Sequence, residues 1–326
     1  MDGRLGNEVE LRNGKVTPSV GFGLGTAWYK ASGEKGNALQ ESLKAALECG
    51  YTHIDNAEMY QNESLVGPVL EEWLEAEEED GETDRKSKEE RKQKRRERLF
   101  IVSKVDNKSR DPTLLRTAFL TSLRELRLDY LDLYLIHSPF NLPDGVTLPM
   151  VWEEMEKLVD EGLVRSIGVS NFRICDLELI LSSPNLRHAP VVNQCEVHAQ
   201  LLDLDLLSYC QSKKILLTSY GGLGPLRSFS SNDAFLNVLS SIASKYNSDT
   251  GLILQSWLLH QGVGVITTSS KPSRMQQSLT APSLSLSSSD LSLLTSAGRK
   301  RWLRKFWTDE MANYDKSYRS RYDLTT

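Results

Sequence analysis

The sequence predicts a single (β/α)8 TIM barrel, an α/β fold, with an N-terminal β-hairpin and extra C-terminal helices. Eight short apolar runs alternate with segments of helical length, as in parallel strands joined by right-handed crossovers. The length of 326 residues fits one such barrel with insertions. A doubly wound sheet is the alternative, but no Gly-x-Gly-x-x-Gly motif follows the first run, where Gly21, Gly23 and Gly25 lie in GFGLGTAW.

The strand candidates are runs rich in β-branched and other apolar residues. They cover residues 20–25, 52–56, 99–105, 131–137, 165–171, 191–196, 215–220 and 263–268. Segments with a helical spacing of apolar residues separate them. These helix candidates cover residues 37–49, 64–74, 112–126, 149–161, 176–181, 203–210 and 234–246. The alternation predicts one barrel domain over residues 1–326.

An N-terminal hairpin is predicted ahead of the barrel. Asn13-Gly14 separates residues 9–11 from residues 16–18, and Asn-Gly between apolar residues is a strong hairpin signal. We expect this hairpin to plug one end of the barrel.

Residues 75–98 form an insertion in which an acidic block precedes a basic one. It lies between a helix and the following strand, and such loops lie on the N-terminal face of a barrel, away from the chemistry. We expect a solvated, partly helical segment. The alternative is that residues 92–98 serve as a nuclear-localisation or partner-binding patch, which would give access to the nucleus.

The C-terminal region, residues 283–326, is predicted to hold one helix at 290–303 and an aromatic tail. Bulky side chains are unusual in a free tail, so we expect these to pack against the barrel or over its mouth. They are Trp302, Phe306, Trp307 and Tyr314.

Composition narrows the class of protein. The net charge is −5, so no positive field is expected to recruit nucleic acid or an anionic membrane. An apolar signal segment and a membrane-spanning stretch are both absent from the sequence, which favours a cytoplasmic location. The four cysteines form no Cys-x-x-Cys pair, so we expect reduced thiols and no metal site.

Polar side chains that can take part in catalysis recur where the predicted strands end. The second strand ends at Asp55, with Tyr60 five residues later, the third delivers Lys104 and the fourth His137. In a barrel these positions meet at the C-terminal mouth, where catalytic residues lie. Each residue alone has an ordinary structural explanation, whereas four at successive strand ends indicate a catalytic site.

Together, these four groups are suited to reducing a carbonyl. The usual pKa of tyrosine, about 10, is too high for efficient proton donation near neutral pH, and a nearby lysine lowers it. Asp55 would keep Lys104 charged, and a neutral His137 would position the carbonyl oxygen beside Tyr60. Such a general-acid site needs a hydride donor, which implies a nicotinamide cofactor rather than a metal.

Ordered motifs over residues 9–278 resemble the aldo-keto reductase superfamily. They are GFGLGTAW (21–28), GYTHIDNAEMYQNE (50–63), LFIVSKV (99–105), LDLYLIHSP (131–139), GLVRSIGVSNF (162–172), VVNQCEVH (191–198) and SYGGLGPL (219–226). The stretch TTSSK (267–271) is similar to a fungal branch that includes α-keto amide and conjugated polyketone reductases. The resemblance implies NADPH-dependent reduction of an aldehyde or ketone, possible use of NADH, and a monomer, with a dimer as the alternative.

The resemblance also implies roles for individual residues. Tyr60 would donate the proton, Lys104 and Asp55 would tune it, and His137 would orient the carbonyl. The cofactor would contact Asp55, the carboxamide-binding Ser170, Asn171 and Gln194, the ring-stacking Tyr220, and also Gly25, Thr26 and Leu223. The substrate pocket would include Tyr60, His137, Trp28 and Phe140.

Two departures from the family pattern affect ligand choice. The lysine usual in the adenosine-phosphate segment is replaced by Thr268, although Arg274 remains to bind a 2′-phosphate. Ser269, Lys271 and Gln277 would add contacts there. Ser138 stands where a tryptophan is frequent, which predicts a reshaped apolar pocket for bulky substrates such as aromatic carbonyls, α-dicarbonyls and α-keto esters or amides.

Two other functions remain open at this point. One is a non-catalytic regulatory subunit that binds NADPH and contacts a partner through residues 75–98. The other is a dehydrogenase that oxidises an alcohol or sugar with NADP+, because the same site works in both directions.

Overall fold

Eight parallel strands close into a barrel in the computed structural model, which describes residues 4–76, 87–227 and 233–322. Strands β1 (Glu8–Glu10) and β2 (Val16–Pro18) form a separate antiparallel hairpin. The barrel strands are β3 (Val20–Gly23), β4 (His53–Asp55), β5 (Phe100–Val105), β6 (Leu133–Ile136), β7 (Ile167–Ser170), β8 (Val192–Glu196), β9 (Leu216–Tyr220) and β10 (Gly264–Thr267). Strand β10 pairs with β3 and so closes the barrel.

Helices surround the barrel and cover its strands. They are α1 (Gly33–Glu48), α2 (Glu63–Glu75), α3 (Lys88–Arg98), α4 (Pro112–Leu126), α5 (Leu148–Asp160), α6 (Ile174–Leu181), α7 (Leu204–Ser212), α8 (Ala234–Lys245), α9 (Thr250–His260), α10 (Pro272–Leu279), α11 (Ser288–Arg299) and α12 (Thr308–Tyr322). The predicted (β/α)8 fold, its hairpin and its extra C-terminal helices are therefore confirmed.

Local sequence explains where these helices begin and end. At α4, the Asp111 side chain accepts a hydrogen bond from the Thr113 N–H and Pro112 occupies the first turn, where no N–H partner is needed. Arg127 then ends the helix in the left-handed region, with φ of 57°. Helix α3 begins with a reciprocal capping box between Ser87 and Glu90.

The charged insertion is held on the N-terminal face by α3. Arg96, a buried residue of this helix, forms a 2.8 Å ion pair with Asp132, which precedes β6. The Arg96 guanidinium also lies 3.9 Å from the centre of the Tyr130 ring. Part of the predicted insertion, residues 77–86, lies outside the described residues.

Two helices have sequences that do not show the amphipathic pattern. Helix α9 is buried along seven consecutive residues from Ile253 to Leu259, so apolar residues face every side and no stripe stands out. Helix α12 is polar around most of its circumference and begins beyond the predicted helix at 290–303, which the structure places at α11. Within the described ranges, no helix combines the length and the apolar character needed to cross a membrane.

Candidate active site

The predicted lysine, aspartate and tyrosine lie together at the C-terminal end of the barrel. Lys104 Nζ donates to Asp55 Oδ1 at 2.6 Å, to the Asn56 carbonyl at 2.8 Å and to the Tyr60 hydroxyl at 3.4 Å. Asp55 ends β4 and Lys104 lies near the end of the adjacent β5, while a short 3-10 turn after β4 carries Tyr60. Strand order alone therefore brings the three groups together.

His137 completes the predicted tetrad. It directly follows β6, and its ring packs edge-on against Tyr60 with ring centres 5.7 Å apart. Its Nδ1 is buried and has no hydrogen-bond partner among the described residues. The ring also lines the cavity over Tyr60, so its other nitrogen, Nε2, is the one suited to holding a polar ligand atom.

Burial and neighbouring charge set the protonation states of these groups. Burial, and then the charges of Lys104 and Arg110, hold the pKa of His137 well below its ordinary value, so its ring is neutral at pH 7. Burial would lower the pKa of Lys104, but the Asp55 carboxylate and Tyr60 raise it, which keeps the ammonium charged.

The phenol of Tyr60 differs from the sequence-based expectation in one respect. Burial raises its pKa above the ordinary value, and the opposing effect of Lys104 does not overcome burial. Lys104 therefore acts in the predicted direction, but the phenol stays protonated. In this state Tyr60 is a proton donor rather than a base.

A second polar cluster lies on β7, β8 and β9 beside the tetrad. Gln194 Nε2 donates to Asp55 Oδ2 at 2.7 Å, and Ser170 Oγ donates to the Gln194 carbonyl at 2.7 Å. Asn171 Nδ2 donates to the His137 carbonyl, and Asn171 Oδ1 accepts from the Tyr220 hydroxyl at 2.6 Å. The cluster links four predicted cofactor residues to the tetrad through a single hydrogen-bonded network.

A cavity beside Tyr60 has the features of a dinucleotide site. Glycines line much of it, and a Cβ at Gly25 would lie 2.7 Å from Tyr60 Cζ, so only glycine lets the backbone approach there. The Thr268 hydroxyl, at its far end, is buried and has no partner among the described residues. Thr26, Tyr220 and Leu223, all predicted cofactor residues, also line this cavity.

The remaining predicted cofactor residues lie beyond Thr268. Lys271 precedes α10 and its N–H donates to Ser269 Oγ at 3.0 Å. Arg274 is exposed on the first turn of α10, and Gln277 is half-buried on its last turn. These four residues are not among those that line the cavity.

A second cavity of about 370 Å³ opens over Tyr60 and His137. Phe306 and Trp307, two of the C-terminal aromatics expected to pack against the barrel or over its mouth, form part of its wall. Trp28, a predicted substrate residue, packs in the core, while Phe140 lies behind Trp307 with ring centres 5.6 Å apart. The cavity is lined by Gly25, Thr26, Tyr29, Met59, Tyr60, His137, Ser170, Asn171, Gln194, Tyr220, Phe306 and Trp307.

No group of three or more His, Cys, Asp or Glu side chains suited to holding a metal occurs in the described part of the chain. The polar groups of the site are a protonated phenol, an ammonium, a carboxylate and a neutral imidazole. Such a set can donate a proton to an oxygen and stabilise the phenolate that results.

Comparison with known proteins gives consistent matches. Residues 20–299 match the model of the aldo/keto reductase family. Aldo-keto reductase family 1 member C18 of Rattus norvegicus is 35% identical over 90% of this chain and 91% of that protein. Estradiol 17 beta-dehydrogenase 5 of Mus musculus is 35% identical over 88% and 90%. Aldo-keto reductase family 1 member C3 of Homo sapiens is 34% identical over 94% and 95%.

These relatives are mammalian, so the resemblance to a fungal branch stays a prediction. The family match covers every barrel strand and the whole tetrad. The chain therefore belongs to the aldo/keto reductase family and is an oxidoreductase that acts on carbonyl or CH–OH groups.

Proposed function

We propose that this protein reduces an aldehyde or ketone with NADPH and uses Tyr60 as the proton donor. The observation that carries the proposal is the contact of one buried ammonium with both a carboxylate and a phenol. Lys104 Nζ lies 2.6 Å from Asp55 Oδ1 and 3.4 Å from the Tyr60 hydroxyl. An ammonium beside the phenolic oxygen stabilises the tyrosinate that forms when Tyr60 gives up its proton.

Each residue of the tetrad has a separate role in the proposal. The neutral His137 ring orients the carbonyl oxygen toward the phenol. Tyr60 then donates its proton to that oxygen, and Lys104 stabilises the tyrosinate. Asp55 keeps the ammonium in place and is itself held by Gln194. Positioned acid catalysis of this kind contributes about 10²–10⁴-fold to the rate.

The glycine-lined cavity and the network beside it are suited to the dinucleotide. When bound, the nicotinamide supplies the hydride that the protein side chains cannot provide. Ser170, Asn171 and Gln194 would hold its carboxamide, and Tyr220 would lie against its ring. The exposed guanidinium of Arg274 is suited to a 2′-phosphate, which favours NADPH over NADH.

Aromatic side chains define the substrate class. Phe306, Trp307 and Tyr29 supply apolar wall to the larger cavity, and the polar groups lie on the side of Tyr60 and His137. A relative at 35% identity is named for estradiol, a bulky ring compound. We therefore propose bulky or aromatic carbonyls, including α-keto esters, rather than open-chain sugars.

A carbonyl panel with NADPH and with NADH in parallel tests the proposal. We expect oxidation of NADPH with an aromatic α-keto ester, slower oxidation of NADH, and little activity with a pentose. Tyr60→Phe should lower turnover by at least about 10²-fold, because the proton donor is lost, while the NADPH affinity changes little. Tyr209→Phe is the matched control, since Tyr209 lies on α7 and lines neither cavity.

Some results would contradict the proposal. Binding of NADPH without oxidation by any carbonyl would favour a regulatory subunit. A clear preference for pentoses would overturn the substrate class, and loss of cofactor binding in Tyr60→Phe would mean that Tyr60 holds the cofactor instead of donating the proton.

A further inference from the structure

The segment between α11 and α12, residues 300–307, crosses the mouth of the barrel and is here called the C-terminal strap. Its start is held by packing of Trp302 on Tyr318, with ring centres 4.9 Å apart. Its middle is held by a hydrogen bond from the Leu303 N–H to the Gln200 carbonyl at 3.0 Å. Trp307 ends the strap in the left-handed region with φ of 56°, which is rare for a bulky residue.

One buried carboxylate fixes the part of the strap nearest the site. Glu196, at the end of β8, is 4% exposed. Its carboxylate accepts hydrogen bonds from the Lys305 N–H at 3.0 Å and the Phe306 N–H at 2.9 Å. His198 Nε2 lies 3.5 Å from the same carboxylate. Because two successive backbone N–H groups bind one carboxylate, the backbone of Lys305 and Phe306 is held in one place at the end of β8.

The strap forms a wall of two cavities. Lys305 and Phe306 line the glycine-rich cavity, and Phe306 and Trp307 line the larger one over Tyr60. Among the described residues of the glycine-rich cavity, the cationic side chains are Lys305 and Arg227. Thr268, which stands where the family pattern has lysine, supplies no charge. The strap thus supplies a cationic side chain, that of Lys305, to the glycine-rich cavity.

We propose that Lys305 binds the pyrophosphate of the dinucleotide and that Glu196 is the residue that positions it. This inference rests on the proposed use of a nicotinamide dinucleotide. The pyrophosphate is the part expected here because Tyr60, Gly222, Leu223 and Thr268 all line this one cavity. Arg274, the residue suited to a 2′-phosphate, is exposed on α10 and is not among the lining residues.

The two phosphate positions make different predictions for the two cofactors. The pyrophosphate is common to NADPH and NADH, whereas only NADPH has a 2′-phosphate. A lysine at the pyrophosphate therefore strengthens the binding of both dinucleotides by the same factor. The interaction is charge-assisted, so it also weakens as salt is added.

The test is a titration of the full-length protein with NADPH and with NADH, followed by quenching of tryptophan fluorescence. Lys305→Ala should weaken both affinities by about tenfold and make binding less sensitive to salt. Lys316→Ala is the matched control, because Lys316 is an exposed lysine of α12 that lines neither cavity. It should bind both dinucleotides as the wild type does.

The role of Glu196 is tested by Glu196→Gln and by the double variant. The single variant keeps an acceptor oxygen but loses the charge. Because Glu196 also lines the cavity, loss of its negative charge alone would strengthen binding of a pyrophosphate, so Kd values that rise toward those of Lys305→Ala are expected only if Glu196 positions Lys305. The double variant should be no weaker than Lys305→Ala, since Glu196 acts through Lys305. Glu196→Gln should also raise KM for a bulky aromatic ketone more than for a small aldehyde, because Phe306 moves with the strap.

Each other outcome overturns a defined part of the proposal. Unchanged binding by Lys305→Ala, or weakened binding of NADPH alone, would show that Lys305 does not bind the pyrophosphate. Additive losses in the double variant would mean that Glu196 does not act through Lys305. Failure of the wild type to bind either dinucleotide would overturn the proposed function, and this inference with it.

Discussion

The two ends of the barrel use the same three kinds of residue to different effect. At the C-terminal mouth, Lys104, Asp55 and Tyr60 are a cation, a carboxylate and a phenol in contact. At the N-terminal floor, Arg96 is paired with Asp132 at 2.8 Å and lies on Tyr130. Both ion pairs are buried, with each side chain 6% exposed or less.

The difference lies in how the cation meets the tyrosine. At the mouth the ammonium faces the phenolic oxygen at 3.4 Å, where it favours loss of the proton. At the floor the Tyr130 ring is contacted by two guanidiniums, those of Arg96 and Arg165, whose carbons lie 3.9 and 4.1 Å from the ring centre. A cation on the ring stabilises packing. Burial still raises the pKa of Tyr130, and the charges of Arg96 and Arg165 do not overcome it.

A buried ion pair is therefore weak evidence for a catalytic site. The floor pair fastens the α3 insertion to the barrel through Arg96 Nη1 and the Leu99 carbonyl, 3.2 Å apart, and Arg96 Nη2 and the Tyr130 carbonyl, 2.9 Å apart. At the mouth, by contrast, Asp55 lines the glycine-rich cavity and the phenol of Tyr60 packs against the neutral ring of His137. The orientation of the phenol and the presence of His137 distinguish the two.

The largest expected effect comes from replacing one cation at each end. Lys104→Met should lower turnover by about 10²–10⁴-fold, since the tyrosinate loses its counter-charge. Arg96→Met should leave turnover within about twofold but lower the free energy of unfolding by about 3 kcal/mol, because the buried Asp132 loses its 2.8 Å ion pair and keeps only the longer one, at 3.7 Å, to Arg165. Steady-state kinetics and urea unfolding of both variants measure the two effects.

The pair of variants serves as its own control, because each removes the nearest cation of one buried carboxylate. Lys104→Met is expected to lose stability as well, so the discriminating quantity is turnover per folded molecule. Equal loss of turnover in the two variants would show that Arg96 also affects the reaction and would contradict the comparison.

Strand ends are the part of the mouth that the sequence predicts well. Asp55, Lys104 and His137 lie at or just after neighbouring parallel strands, so the barrel topology alone places them together. For Phe306 and Trp307 the sequence predicts packing against the barrel or over its mouth, but it does not tell which of the four C-terminal aromatics line the site. Their position depends on Glu196, 109 or more residues away in sequence, and no local pattern reports such a contact.

The same limit applies to the elements of the fold. Helices with one apolar face, such as α4, were predicted with the observed bounds of residues 112–126. Helix α9 is buried on all sides and α12 is mostly polar, so neither shows the stripe on which a sequence-based prediction depends. The floor contact of Arg96 was also missed, because a basic run gives no sign that one of its arginines is buried.

A smaller effect is expected from Arg110, a buried arginine of the mouth. Its guanidinium donates to the carbonyls of Ser138, Phe140 and Asn141, the segment that follows His137. Arg110→Met leaves these carbonyls without donors, so we expect about 2 kcal/mol less stability and a KM about tenfold higher as the segment shifts.

Arg110 also contributes to the low pKa of His137, after burial and Lys104. Its removal should therefore raise that pKa toward the ordinary value, and kcat/KM should decline sooner as the pH is lowered. Arg116→Met is the matched control, because Arg116 is exposed on α4 and paired with Glu161. A normal KM and an unchanged pH profile in Arg110→Met would show that the segment is held by other contacts.

The smallest effect compares one imidazole from each end of the barrel. Burial lowers the pKa of His137 at the mouth and of His53, which begins β4 beneath the hairpin. Each ring is neutral when folded and takes up a proton below about pH 6.5 when unfolded. Because the unfolded state then binds more protons, stability is fully present above about pH 6.5 and is lost as the pH falls, by up to about 1.4 kcal/mol per pH unit for each ring.

Urea unfolding between about pH 7 and pH 5 measures this slope. His137→Gln and His53→Gln should each remove one share of it, and the double variant should remove both, since the two rings lie at opposite ends of the barrel. His137→Gln should in addition lower turnover, whereas His53→Gln should leave it nearly unchanged. A slope that survives in the double variant would mean that groups other than His137 and His53 control the acid sensitivity of the fold. The neutral ring of His137 would then matter for the reaction but not for stability.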